Sequence, residues 1–384
     1  MMGNEPINDY VQRMIEGAVA QAASDIHFEP YEDFFRIRYR VDGVLREADR
    51  PIAALAPRVA SCLKVMARLD IAERRLPQDG RLSLPLSNGE SRDIRVSSLP
   101  TAFGEKIVLR LLAPKLALTL ADLGLEEAQL ALLRRELERP HGLVLVCGPT
   151  GSGKSATLHA CMAHLNGVGL NLSSVEDPVE IVLPGINQVA VNDKAGLGFS
   201  VALRALLRQD PDVIMVGEMR DALTADIAVK AAQTGHLVLS SLHTRSAQAA
   251  MTRLMNMGVA PFNLASALVL VISQRLLRRV CPLCSRTQQV SRTQLERLGW
   301  VGDVPQIVAC REPAGCMVCH GTGYGGRIAA FELLPLSEAA LQRVLDAGGA
   351  HALPAALTGL RQAGLQKAVH GETTLSEVMA MTPD

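Results

Sequence analysis

The residues best suited to chemistry form one stretch, residues 148–155, which reads Gly-Pro-Thr-Gly-Ser-Gly-Lys-Ser. This stretch matches the phosphate-loop pattern G-x-x-x-x-G-K-[S/T] at every specified position. In such a loop, backbone N–H groups at a helix N-terminus face phosphate oxygens, Lys154 reaches the β and γ oxygens, and the Ser155 hydroxyl can bind Mg²⁺. The sequence therefore predicts a nucleotide site made of Gly148, Pro149, Thr150, Gly151, Ser152, Gly153, Lys154, Ser155 and Ala156.

Two acidic residues come at the ends of predicted strands further along the chain. Glu218 follows Gly217 and the apolar run at residues 213–216, and Glu176 follows the predicted strand at residues 170–175. Acids at strand ends are often helix caps. After a phosphate loop, however, they favour phosphoryl transfer, which needs Mg²⁺, an oriented water and positive charge. We expect Glu218 to polarise the water or to hold Mg²⁺ through water, with Glu176 as a second acid.

Two histidines, His236 and His243, bracket the predicted strand at residues 237–242. Because their spacing is odd, a regular strand would direct them to opposite faces. One of them could sense the γ-phosphate of a nucleotide, although a lone histidine is more often a structural residue. The spacing leaves both alternatives open.

The eight cysteines divide into two groups. Four of them form two C-x-x-C pairs, Cys281 with Cys284 and Cys316 with Cys319. Two such pairs supply four thiolates for tetrahedral Zn²⁺, and a full shell leaves no open position for catalysis. Cys310, between the pairs, is a weaker alternative ligand. The remaining three have apolar neighbours and are most simply core residues, namely Cys62, Cys147 and Cys161.

The elements around these residues alternate between strand and helix. A strand at residues 143–147 and a helix at 156–165 flank the phosphate loop, and further strands are expected at 170–175, 213–216 and 237–242. Helices are expected between them, at residues 202–208 and 224–233. Each strand ends in a polar residue, which predicts an α/β fold with a doubly wound parallel sheet and the site along one edge.

The N-terminal part has a different pattern, that of an α+β module. Helices are predicted at residues 5–23 and 53–69, and strands at 34–41, 43–46, 81–85, 92–98 and 105–112. A turn is expected at Asp42 and Gly43, and the domain boundary at residues 113–123. Six arginines lie in this part, and most strand arginines only solvate a face or pair with carboxylates: Arg36, Arg38, Arg40, Arg81, Arg95 and Arg110.

Composition excludes several functional classes for these 384 residues. Lys+Arg and Asp+Glu both number 39 and aromatic residues make up 3%, which argues against a nucleic-acid or membrane-surface binder. The first residues show no secretory signal, and the most apolar window, residues 265–272, is too short to cross a bilayer. We therefore expect a cytoplasmic chain whose cysteines are thiols or metal ligands.

Taken together, these stretches resemble the traffic ATPases of type II secretion and type IV pilus assembly over nearly the whole chain. The resemblance rests on the phosphate loop, the four cysteines and several further motifs, at residues 23–30, 77–81, 103–106, 175–180, 207–218, 234–236, 242–244, 274–276 and 325–327. It implies a PAS-like α/β domain (residues 1–115) before a RecA-like ATPase domain (116–384). The latter would include a zinc subdomain at about 278–328 and C-terminal helices at about 335–384.

The resemblance also implies roles and partners. Glu176 would belong to the aspartate box, Glu218 would be the Walker B glutamate, and His236 and His243 would form the histidine box. Arg95 and Arg110 would reach the nucleotide from the N-terminal domain. The cofactors would be ATP, Mg²⁺ and Zn²⁺. A homo-hexamer would act on an inner-membrane platform protein and a recruitment protein, held at the membrane through those partners and without direct contact to nucleic acid.

The chain departs from the family pattern at a few positions. Ala156, Leu223 and Arg245 replace the usual Thr, acid and Asn, but no core catalytic group is lost, so we expect activity. The chain also begins at the PAS-like domain, without the family's extra N-terminal domain, which puts recruitment by that route in question. Alternatives are a retraction or DNA-uptake motor of the same family, a nucleic-acid motor, and a zinc scaffold that does not hydrolyse ATP.

Overall fold

A computed structural model describes residues 6–87, 89, 91–112, 118–337, 340, 343, 346, 356 and 358–382. The chain divides into two compact units, Met1–Leu116 and Ala117–Asp384. Residues 113–117, at the start of the expected boundary, lie outside the described residues.

The first unit is a six-stranded antiparallel sheet with two helices packed on one face. Its order is β3-β2-β1-β6-β5-β4. The elements are α1 (Ile7–Ala20), β1 (Asp25–Pro30), β2 (Phe35–Val41), β3 (Val44–Asp49), α2 (Ala56–Met66), β4 (Gln78–Pro85), β5 (Ser91–Thr101) and β6 (Gly104–Leu111). Alternate residues of the strands bury apolar side chains beneath the helices. The central strand β1 was not predicted as a strand from the sequence, although its residues alternate between polar and apolar types.

The second unit contains a seven-stranded sheet in the order β15-β12-β7-β11-β10-β8-β9. Six strands are parallel: β7 (Gly142–Cys147), β8 (Leu172–Glu176), β9 (Asn187–Ala190), β10 (Val213–Val216), β11 (Leu237–Leu242) and β12 (Leu268–Val280). The edge strand β15 (Tyr324–Pro335) is antiparallel to β12. The predicted parallel sheet therefore carries one antiparallel edge strand, which the sequence did not predict. Much of β12 and β15 is buried on both faces, so their sequences lack the alternation of polar and apolar residues that marks a strand.

Helices cover both faces of this sheet and form two apolar cores. One core holds α3 (Glu127–Leu137) and α4 (Lys154–Leu165). The other holds α5 (Phe199–Leu206), α6 (Ala222–Gln233), α7 (Ala247–Asn256) and α8 (Pro261–Ala267). Helices on both faces keep the short central strands away from water, which explains why β7 and β10 are almost wholly apolar.

A small module is inserted between β12 and β15. It consists of β13 (Arg286–Ser291), α9 (Arg292–Arg297) and β14 (Ile307–Glu312), and the two strands form an antiparallel pair. Two C-terminal helices, α10 (Leu360–Val369) and α11 (Leu375–Met381), pack against β12, β15 and this module. Much of the expected helical tail between β15 and α10 lies outside the described residues.

Candidate active site

The phosphate loop joins the end of β7 to the first turn of α4, the connection that its sequence predicts. Gly151 and Gly153 have φ angles of 78° and 91°, which only glycine adopts without strain. A Cβ atom at Gly148 would lie 2.4 Å from Ser152 Oγ, and one at Gly153 would lie 2.7 Å from Gln274 Nε2. The loop therefore needs glycine both for its backbone angles and for its close packing on β12.

The polar groups of this loop suit an anionic ligand. Lys154 Nζ donates hydrogen bonds of 3.0 Å to the carbonyl oxygens of Gly148 and Pro149, and burial lowers the pKa of this amine. Ser152 Oγ is buried without a partner among the described residues. Backbone N–H groups at the start of α4, the Lys154 amine and the exposed Ser155 hydroxyl are the donor set that a phosphate and Mg²⁺ require. The loop therefore fits the predicted nucleotide and metal.

Glu218 lies just past β10 and is held by two neighbours. Its Oε2 is 3.0 Å from His243 Nε2, and its Oε1 accepts a hydrogen bond from Arg220. Burial acts to raise the pKa of this carboxyl, but Arg220 and His243 outweigh burial and lower it. His243 Nδ1 in turn lies 3.5 Å from Thr150 Oγ1 of the phosphate loop. The structure therefore brings Glu218, His243 and the phosphate loop together.

Glu176, the second acid, is the last residue of β8 and is 5% exposed. Its Oε2 is 2.8 Å from His159 Nε2, and its Oε1 accepts hydrogen bonds from Ser174 (2.7 Å) and Gln188 (2.9 Å). Burial acts to raise its pKa, but these three partners lower it below the usual value. Glu176 is therefore a buried carboxylate with both oxygens occupied.

A cleft lies beside the phosphate loop and reaches both acids. Its walls include Ser155 and His159 of α4, Glu176 and Asp177 at the end of β8, and Glu218 after β10. Asp177 Oδ2 lies 3.0 Å from Arg220, which also contacts Glu218. Arg220 thus joins two acids that line the cleft, one after each strand.

His236 lies apart from this group. It precedes β11, whereas His243 follows it, and β11 pairs in register with β7 from Leu237 opposite Gly142 to Leu242 opposite Cys147. The phosphate loop follows Cys147, so His236 stands at the far end of the strand, about 20 Å away. Its Nδ1 is 3.1 Å from the carbonyl oxygen of Ala231. Within this unit, the structure does not bring His236 to Glu218.

The two arginines expected at the nucleotide, Arg95 and Arg110, are directly paired across β5 and β6 in the first unit. Arg110 also pairs with Asp25 of β1, and Arg110 Nε is 3.0 Å from the buried Asp25 carboxylate. Asp25 in turn stands opposite Arg40, whose Nε is 3.9 Å away. The sheet therefore aligns arginines from four strands in one row with a single buried acid, since Arg81 of β4 stands opposite Arg95.

The four paired cysteines converge at the base of the inserted module. Their Sγ atoms all lie within 4.8 Å of one another, with 4.0 Å between Cys281 and Cys316, 3.7 Å between Cys284 and Cys319, and 3.6 Å between Cys316 and Cys319. Four thiolates about 2.3 Å from a tetrahedral Zn²⁺ would be about 3.8 Å apart. The cluster therefore fits a metal ion. Cys310 is not in it; this residue is buried among Val290, Leu295 and Val308.

Three contacts of the cleft and loop were not predicted from the sequence. Gln274 of β12 accepts a hydrogen bond of 2.7 Å from Thr157 of α4 and packs against the loop. Arg220 joins Glu218 to Asp177, and His159 holds Glu176. The motif at residues 274–276 includes Gln274, so the sequence did mark this residue. Its contact with the loop could not be predicted, because no local pattern places β12 beside β7.

Comparisons with known proteins agree with this geometry. A protein-family model described as "Type II/IV secretion system protein" matches residues 1–380. The chain is 48% identical over 390 residues to type IV pilus assembly ATPase PilB of Acinetobacter baylyi, covering 99% of this chain and 67% of that protein. It is 47% identical over 384 residues to type II secretion system protein E of Pectobacterium carotovorum subsp. carotovorum, covering 99% of this chain and 76% of that protein.

Two solved structures are similar over almost the full length. The pilus retraction motor PilT with bound ADP is 26% identical, with a TM-score of 0.60 and coverage of 97% of both chains. The ATPase DotB of Legionella pneumophila is 20% identical, with a TM-score of 0.72 and coverage of 99% and 97%, which shows a common fold. Among the described residues, no helix combines the length and apolar character needed to cross a membrane.

Proposed function

Because this chain belongs to the type II/IV secretion system protein family, we propose that it drives type IV pilus or pseudopilus assembly, or type II secretion, by hydrolysing ATP. It is an ATP-hydrolysing enzyme of the pilus-assembly and secretion class. The observation that carries the catalytic part is that His243 contacts both Glu218 and Thr150 of the phosphate loop. One imidazole thus links the acid at the end of β10 to the phosphate cradle.

The residues of the cleft divide the work of hydrolysis between them. The loop amides and Lys154 would bind the phosphates, and Ser155 would hold Mg²⁺, which neutralises charge on the phosphate oxygens. Glu218, kept ionised by Arg220 and His243, would orient and polarise the attacking water. Glu176 would support this arrangement from inside the sheet. We assign His236 no contact with the cleft within this unit, and we retain the nucleotide role of Arg95 and Arg110 on the family resemblance.

The finer architecture is also a proposal. We propose that the first unit is PAS-like, that the second is RecA-like, and that the four cysteines hold a structural Zn²⁺. Six copies would form a ring in the cytoplasm that acts on an inner-membrane platform protein and is recruited by another protein of the machine. Motion between subunits during turnover would then drive the addition of pilin subunits.

Assembly or secretion is favoured over retraction, because the chain is 48% identical to a PilB and only 26% identical to the retraction motor PilT. A scaffold that does not hydrolyse ATP is disfavoured by the intact loop and by the position of Glu218. A nucleic-acid motor is disfavoured by equal numbers of acidic and basic residues.

The test is Mg²⁺-dependent ATP hydrolysis per protomer across a range of protein concentrations, with Glu218→Gln as the blank. We expect a specific rate that rises with concentration, since neighbouring subunits would complete one another's sites. A rate that stays at the level of the blank would contradict the proposal. A rate above that of the blank that does not depend on protein concentration would support ATP hydrolysis by this chain but contradict the proposed ring.

A further inference from the structure

A buried histidine, His159, lies on α4 one turn after Ser155, on the same side of the helix. Both residues line the cleft, but His159 is only 3% exposed. Its Nε2 is 2.8 Å from Glu176 Oε2, and its Nδ1 is buried without a partner among the described residues. No role for this residue follows from the phosphate-loop motif, which ends at Ser155.

The direction of the hydrogen bond is set by its acceptor. The pKa of Glu176 is below the usual value despite its burial, so the group is a carboxylate and can only accept. The proton between the two residues therefore belongs to His159 Nε2. Since burial without a partner is unfavourable for a carboxylate oxygen, an apolar side chain at this position would leave Glu176 Oε2 without its donor. The Nε2 donor therefore gives His159 a role beyond packing.

The bond connects the phosphate loop to the acidic side of the cleft. His159 belongs to the loop's own helix, whereas Glu176 ends β8 and is followed by Asp177. Asp177 Oδ2 is 3.0 Å from Arg220, and Arg220 contacts Glu218. Near the end of β8, the carbonyl oxygen of Val175 accepts a backbone hydrogen bond of 2.8 Å from the N–H group of Gly217. A continuous series of contacts thus runs from α4 through β8 to the acid expected to handle water.

We propose that His159 is a positioning residue for ATP hydrolysis, whose bond to Glu176 fixes the end of β8, and through it Arg220 and Glu218, relative to the phosphate loop. This inference rests on the proposed role of Glu218. His159 touches neither the nucleotide nor the water in this scheme. Its loss should therefore slow the chemical step and leave nucleotide binding intact.

The test compares kcat and KM for ATP in the full chain for three variants. The amide nitrogen of Gln reaches about as far as Nε2, whereas that of Asn is shorter and Leu has no donor. We expect His159→Leu and His159→Asn to lower kcat about tenfold with KM within about twofold, and His159→Gln to recover most of the rate. If His159→Leu fails to fold, the Gln and Asn pair still decides. Equal rates for Gln and Asn, or a change in KM alone, would overturn the inference.

A second measurement separates a role through Glu176 from an independent one. In a Glu176→Ala background, His159→Leu should cause no further loss of kcat, because its partner is already absent. If the losses of kcat caused by Glu176→Ala and His159→Leu multiply in the double variant, the proposal is overturned. A wild-type rate no higher than that of Glu218→Gln would overturn the proposed function and this inference with it. If the wild type is active and all three His159 variants have the same rate as the wild type, only the proposed role of His159 is overturned.

Discussion

Glu218 Oε2 and His243 Nε2 lie 3.0 Å apart at the carboxyl ends of two neighbouring parallel strands. The same histidine reaches Thr150 at 3.5 Å, so the carboxylate is oriented from the side of the phosphate loop. Residues separated by a helix and a strand in sequence become one unit because parallel strands end at a common edge.

Glu218→Gln should bind ATP normally but hydrolyse it at least about a hundredfold more slowly, because an amide cannot take a proton from water. Binding of a fluorescent nucleotide and steady-state phosphate release measure the two effects. The exposed Glu127→Gln on α3 is a matched control that should keep the wild-type rate. Near-normal turnover by Glu218→Gln would remove Glu218 from the mechanism.

Arg220→Gln should raise the pKa of Glu218, because the guanidinium is the main group that lowers it against the effect of burial. A base must be ionised to act, so activity is lost as the pH falls through its pKa. We therefore expect the acid limb of the kcat profile to move to higher pH in Arg220→Gln and much less in Arg220→Lys. An acid limb that does not move in either variant would show that Glu218 is not the group titrating there.

Arg110 and Arg40 offer a matched pair, since both face the Asp25 carboxylate. If Arg110 contributes to nucleotide binding, Arg110→Gln should raise KM for ATP about tenfold, as expected for the loss of one charge-assisted contact to phosphate. Arg40→Gln should leave KM unchanged. Equal effects of the two substitutions would indicate a shared structural role in the first unit.

Purified protein should contain one Zn²⁺ per chain, measured by atomic absorption. Cys284→Ser should lose the metal and lower the stability of the C-terminal part by several kcal/mol, because metal binding is coupled to folding of the module. Cys310→Ser is the matched control, since it lies in the same module but outside the thiolate cluster. Metal retained in Cys284→Ser, or lost in Cys310→Ser, would contradict the assignment.

Glu29 should make the stability of the first unit fall at acid pH. This residue is 4% exposed, and although burial acts to raise its pKa, Arg38 and Lys106 lower it to about 2. Because the pKa is lower in the folded state, the ionised carboxylate stabilises the fold fully at pH values above the pKa of the unfolded state. This stability is lost as the pH falls from about 4.5 to about 2. The difference corresponds to about 3 kcal/mol.

Glu29→Gln should therefore lower the free energy of unfolding at neutral pH and flatten its dependence on pH in that range. Chemical denaturation between pH 2 and 7 measures both effects. The half-exposed ion pair of Glu47 with Arg50 is the control, and Glu47→Gln should change stability much less than Glu29→Gln. The same pH dependence in wild type and Glu29→Gln would contradict this account.

Local patterns were sufficient for several elements. Strand β11 lies at the predicted residues 237–242, and α4 ends at the predicted Leu165, although it begins at Lys154 rather than at Ala156. The turn at Asp42 and Gly43 is present, with φ angles of 49° and 83°. These features depend on residues adjacent in the chain, whose period, turn propensity and backbone freedom can be read directly.

The sequence by itself determined the phosphate loop, the paired cysteines and the alternation of strand and helix, because each depends on spacing within a few residues. Only the tertiary structure placed Gln274 against the loop, buried Glu176 beneath His159 and Gln188, and separated His236 from His243 by the length of β11. It also added the antiparallel β15. These outcomes depend on which distant strands become neighbours, and that choice is made by the packing of whole apolar faces rather than by any local pattern.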